Sequence, residues 1–199
     1  MLAAGTFLLM DCAGSKTLIK ENDFEALELG SFVENDFPYV STSMDARQLG
    51  ASFPDDNVSA RTLALKLADS SYVCFDTDML RWTVAWTGEF LPMYLMPQVS
   101  YKDYYNKGNK TAVIAGKAKI ATGIYPGWNV GSPVFRDIRD GVGKQDIPVW
   151  GPLPEQAGRW NGVYIHNKQA VLSYNVGKTE VAEMVNSVRF GQEIAFRRN

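Results

Sequence analysis

The chain has 199 residues, enough for one large domain with a short appendage. Apolar residues make up 46% and aromatics 12%, so a sizeable core can form and disorder throughout is excluded. The 20 basic and 22 acidic residues are interspersed; no basic stripe offers the phosphate neutralisation of a nucleic-acid binder, and no polybasic run fits an anionic membrane surface.

The first residues, MLAAGTFLLMDCAGSK, form an apolar run ending in small side chains, the pattern of the h-region and cleavage end of an export signal. The run is too short to span a bilayer as a helix. LLMDC also approaches a lipobox, in which Cys12 would become a lipidated first residue and a membrane anchor, although Asp11 stands where such processing expects a small residue. Residues 1–15 therefore read as a signal or lipoprotein-like segment, and the protein as exported, to the periplasm or the cell surface. Residues 16–30 are polar and mixed and read as a linker, with a short helix around Phe24–Leu29. The folded domain is expected over residues 31–199.

Within that domain the hydrophobic period is two. ARTLALKLA places Leu63, Leu65 and Leu67 on one face of a strand. YVCFDT follows after the turn DSS, and LRWTVAWTG alternates again with Trp82, Val84 and Trp86 on a shared face. Further on, Ala170, Leu172, Tyr174 and Val176 share a face, between short links at Asn167-Lys168 and Gly177-Lys178. Strands are predicted near Thr62–Ala68, Tyr72–Asp76, Arg81–Trp86, Gly162–His166, Ala170–Val176 and Thr179–Met184, with one or two more in TAVIAGKAKIATGIY. The section from Tyr125 to Arg159 is dense in Gly, Pro and Trp and reads as long ordered loops. No stretch beyond about ten residues has helical spacing, and no repeat recurs at a fixed period. The expected fold is all-β, a two-layer sandwich of mainly antiparallel strands.

Two cysteines and one histidine leave no clustered ligand set for zinc, and without C-x-x-C-H the segment cannot attach a c-type haem; no cofactor is expected in it. His166 lies in a strand-like run with no G-x-S-x-G nearby, which argues against a serine hydrolase. The densest chemistry is YVCFDTDMLRWTVAWTGEFL, residues 72–91. Asp76 and Asp78 have the residue types of an acid–base pair for glycoside cleavage. Asp78 also begins a turn, where aspartates commonly cap backbone amides, and Arg81 is in reach of either carboxylate. The expectation is a structural polar tie, with ligand contact as the secondary reading and catalysis as the remote one. Trp82 and Trp86 read as core. Trp128 in YPGWNVGSP and Trp160 in GRWNG read as loop indoles, either a platform for sugar rings or plugs tucked into the sandwich. The turns FPDDN (Phe53–Asn57) and FRDIRD (Phe135–Asp140) carry clustered oxygens without calcium-loop spacing. Cys74, between Val73 and Phe75, reads as a buried free thiol.

The run ASFPDDNVSARTLALKLADSSYVCFDTDMLRWTVAWTGEFLP resembles an uncharacterised N-terminal β domain of large exported proteins of planctomycete and verrucomicrobial type. These are the PVC-type haem-binding proteins, which also carry a c-type cytochrome domain. IATGIYPGWNVGSPVFRDIRD, WGPLPEQAGRWNGVYIH and AVLSYNVGKTEV match the same domain, so the resemblance covers the chain from about Phe32 to Glu183. It implies a longer protein, with neighbouring domains as partners and haem only in a domain downstream. It supplies no catalytic residue. The ending EIAFRRN, a strand-like run, reads as a boundary inside such a protein. The expected function is a non-catalytic module that binds carbohydrate or docks neighbouring domains. The alternative is a carbohydrate-active enzyme using Asp76 or Asp78.

Overall fold

The computed structural model describes residues 37–90, 112–129, 134, 137–139 and 152–199, together with the backbone of two short strands nearer the start. The helix expected around Phe24–Leu29, Cys12 and much of the Gly/Pro/Trp-rich section lie outside the described residues. The chain divides into two compact units, Met1–Phe37 and Pro38–Asn199. In the first, β1 (Phe7–Met10) pairs antiparallel with β2 (Lys16–Ile19).

The second unit is all-β among its described residues and builds two antiparallel sheets. β3 (Tyr39–Asp45), β4 (Val58–Lys66), β5 (Ser71–Asp76), β6 (Arg81–Glu89) and β7 (Ala115–Ala121) form a five-stranded meander. β8 (Gly158–His166), β9 (Gln169–Val176), β10 (Thr179–Phe190) and β11 (Glu193–Arg198) form a four-stranded one. The six strands predicted from periodicity are present, several of them longer than expected. Their links follow turn chemistry. Asp69 and Ser70 both take positive φ between β4 and β5, as do Asn167 and Lys168 between β8 and β9. Two consecutive left-handed residues give the turn whose twist matches a hairpin.

The sheets pack face to face as a sandwich. Leu63, Leu65, Val73, Phe75 and Ala85 of the first meet Ala170, Leu172, Tyr174, Val176 and Val185 of the second in one buried cluster. The alternation read for β9 is therefore the inward face. The five-stranded sheet is apolar on its other face too, where Met44, Ala64, Cys74, Val84 and Trp86 form a second cluster. Ala112 and Ile114 complete it. Ala112 makes a single parallel bridge to Met44 on β3, and three residues later the chain enters β7 on the opposite edge. Three extended residues reach only ~10 Å, so the sheet coils until its edges approach. One bridge is not a ladder, and the sheet is not closed into a barrel.

The expectation for β6 needs one correction. Trp82 pairs with Phe75 and Val84 with Cys74, so Thr83 is an extra residue in the ladder. A one-residue bulge reverses the facing of everything beyond it. Trp82 thus joins Phe75 in the sandwich interior, ring centroids 4.9 Å apart, whereas Val84 and Trp86 fall on the opposite face. Thr83 is itself buried, and its hydroxyl donates to the Cys74 carbonyl at 3.1 Å. Replacing Thr83 by Ala should cost about 1 kcal/mol, the worth of one hydrogen bond, whereas deleting it should abolish cooperative unfolding because either Trp82 or Trp86 must then leave its cluster. A urea melt of the deletion variant matching that of Thr83→Ala would contradict this.

Candidate functional site

The turn between β5 and β6 is organised by Asp76. Its side chain is 3% exposed, and Oδ1 accepts the amides of Asp78 and Met79 at 3.0 and 3.2 Å. Such a cap satisfies turn amides that have no ladder partner. Oδ2 faces Arg81 Nε at 3.3 Å. The tie predicted from sequence is therefore Arg81 with Asp76. Leu80, immediately before, takes a positive φ of 51° and buries its side chain in the sandwich core.

Arg81 reaches well beyond that pair. Its Nη1 donates to Asn57 Oδ1 at 3.0 Å, Thr122 Oγ1 at 3.1 Å and the Gly123 carbonyl at 2.8 Å. Its Nη2 donates to the Val58 carbonyl at 3.2 Å and Ser59 Oγ at 2.9 Å. A guanidinium has five donors, and each has an acceptor in reach. Burial lowers the Arg81 pKa, with the Asp76 carboxylate acting against the shift. Asn57, from the FPDDN turn, is itself fully buried and donates to the Thr83 carbonyl at 2.8 Å. In the other oxygen-rich turn, Asp137 is engaged by Arg139, whose Nη2 lies 2.6 Å away.

Asp78 stands apart from this network. Its side chain is 9% exposed, Oδ1 lies 3.6 Å from Arg61 Nη1, and buried Oδ2 has no hydrogen-bond partner. Burial first, and the Asp76 charge second, push its pKa up to about 6. The two aspartates thus have opposite environments, one saturated by donors and one starved of them.

Arg61 opens onto a groove of about 390 Å³ between β3, β4, the Thr77 turn and Trp160. Ser41, Thr42, Ser43, Thr62 and Thr77 line it with Arg61 and Trp160, and the Thr42, Thr62 and Thr77 hydroxyls donate to the Ser43, Thr42 and Arg61 carbonyls. Trp160 is not in a loop, as its sequence surroundings suggested; it lies on β8. Its ring packs on Phe75 at 5.8 Å, Phe75 on Tyr174 at 5.6 Å, and Tyr174 on Trp128 at 6.1 Å. Trp128 and Trp160 are therefore half-buried ends of one chain of rings, each tucked against the core. Trp128 is fixed by Gly127, where a Cβ would fall 1.9 Å from the Leu80 carbonyl oxygen. Its indole N–H is buried without a hydrogen bond.

Sequence reasoning missed Glu183. It is 3% exposed on β10, facing the sandwich interior between Val181 and Val185. Trp82 Nε1 donates to it at 3.0 Å, the Tyr174 hydroxyl at 2.5 Å, and Arg198 Nε from β11. Burial and the Glu183 carboxylate raise the Tyr174 pKa above the usual phenol range. The signal was present in the parity, which places residue 183 inward with 181 and 185. Cys74 is a fully buried free thiol, its pKa raised by that burial.

Removing the Arg81 guanidinium leaves Asp76 and several acceptors buried without a donor. Arg81→Ala should therefore destabilise by about 3–5 kcal/mol in denaturant melts. Asp78→Asn should stay within about 1 kcal/mol at neutral pH, because it removes a charge with no close donor. Equal losses for the two would show that the tie is not where the stability resides.

No curated protein and no solved structure matches the chain. One family model, described as a domain of unknown function (DUF6797), matches residues 73–183. The match takes in Asp76, Asp78, Arg81, Trp128, Trp160, Tyr174 and Glu183; β3 and β4, with Arg61, precede it. It covers more than half of the chain, and the protein belongs to this DUF6797 family.

Proposed function

We propose that the chain is a non-catalytic β-sandwich module of an exported multidomain protein, and that it binds saccharide in the groove beside Trp160. The observation that carries this reading is the groove lining: five serine and threonine residues, one arginine and one tryptophan along a trough of about 390 Å³. Sugars present hydroxyls for paired hydrogen bonding and apolar ring faces for aromatic contact. The walls are strands of two packed sheets, which gives such a site rigidity.

The state of the carboxylates supports a binding role over hydrolysis. Glycoside cleavage by two carboxylates needs both to face the scissile bond. Asp76 has both oxygens committed, to two amides and to Arg81. The Glu183 carboxylate is enclosed by Trp82, Tyr174 and Arg198. The resemblance to exported cytochrome-bearing proteins supports the multidomain setting, in which haem belongs to a neighbouring domain.

A glycan array followed by calorimetry tests the reading. The chain should bind at least one glycan without releasing reducing ends. Trp160→Ala should weaken that binding about tenfold or more, equivalent to about 1.4 kcal/mol, and Trp128→Ala should leave it within about twofold. No binding across the array, or equal losses for the two variants, would overturn the assignment.

A further inference from the structure

Resting on that reading, we infer that the groove selects acidic saccharides, with Arg61 contacting the ligand's carboxylate or sulfate and Asp78 acting as a proton-controlled competitor for the same guanidinium. Arg61 lies on β4 with 66% of its side chain exposed, and it is the cation lining the groove. Its backbone is held, since the Thr77 amide and hydroxyl both donate to the Arg61 carbonyl, at 3.0 and 3.1 Å. A guanidinium on a fixed strand, in a groove that it shares with Ser41, Thr77 and Trp160, suits a carboxylate or sulfate on a sugar ring.

The acid paired with Arg61 is built to change charge. Asp78 Oδ1 is 3.6 Å from Arg61 Nη1, beyond a good hydrogen bond, and Oδ2 is buried without a donor. A desolvated carboxylate with so little compensation takes up a proton readily. The charged groups facing it are Arg61 from β4 and Asp76 from β5, the latter engaged by Arg81; the segment before β8 brings the Leu153 amide to the Asp78 carbonyl. Above about pH 6 Asp78 is ionised, pairs with Arg61 and repels an incoming anion. Below it, Asp78 is neutral and no longer competes with an anion for the guanidinium. Anion binding and protonation of Asp78 thus favour one another, so affinity rises as pH falls through about 6.

The test uses oligogalacturonate against its methyl ester, and dextran sulfate against dextran, by calorimetry at about pH 5 and about pH 7.5. In at least one pair the charged member should bind about tenfold more tightly than its neutral partner, and more tightly at the lower pH. Asp78→Asn should bind at the higher pH as wild type does at the lower. Arg61→Ala should level charged and neutral ligands, whereas Arg189→Ala, on β10, should change nothing. Equal binding of charged and neutral members would overturn the acidic preference yet leave saccharide binding standing. A pH dependence that survives in Asp78→Asn would overturn the competitor role, and equal loss in Arg189→Ala would reduce the effect to general charge. Absence of binding to all four probes would overturn this inference, and the array would then decide the broader reading.

Discussion

A guanidinium that leaves water must find an acceptor for every donor, and much of the five-stranded sheet is arranged around that requirement for Arg81. Its acceptors come from the segment entering β4, from the β5–β6 turn and from the residues after β7. In the sheet order β3-β4-β5-β6-β7, β4 and β7 are separated by two strands. Only a coiled sheet brings the start of β4 and the end of β7 to one side chain. The same coiling is seen where Ala112 bridges to Met44 before the chain enters β7. The apolar cluster around Trp86 favours coiling without specifying how far it goes, whereas directional hydrogen bonds to fixed carbonyls do specify it.

Much of this fold can be read from periodicity. Leu63 with Leu65, and Ala170 through Val176, declare an inward face because a strand has period two. The bulge at Thr83 cannot be read that way. LRWTVAWTG alternates without interruption, and only packing reveals that the two indoles join clusters on opposite faces. β3 is not legible because YVSTSMD is polar by composition; Thr42 and Ser43 are nevertheless buried, while Ser41 faces water.

The candidate site was legible in its residues more than in its geometry. Asp76, Asp78 and Arg81 are close in sequence, but turn chemistry pointed to Asp78 as the cap, whereas Asp76 accepts the turn amides. What the local sequence could not supply was the long-range half of each environment: Asn57 and Thr122 for Arg81, and Arg61 for Asp78. Glu183 shows the complementary failure. A glutamate in a strand reads as a solvated position, and its enclosure follows from Trp82 and Arg198, neither of them near it in sequence. Binding chemistry and scaffold chemistry are therefore divided among neighbouring residues, with Asp76 and Arg81 fixing the turn from which Thr77 and Asp78 meet Arg61.

Arg81 locks three separate segments into one frame. Residue-resolved amide hydrogen exchange on Arg81→Lys, which keeps the charge and loses the planar fork, addresses this lock directly. Protection should fall selectively at Ser59, Met79 and Thr122, by about tenfold or more, while Leu172 and Tyr174 in the four-stranded sheet keep theirs. Unchanged protection at those three amides, or a uniform loss across both sheets, would contradict it.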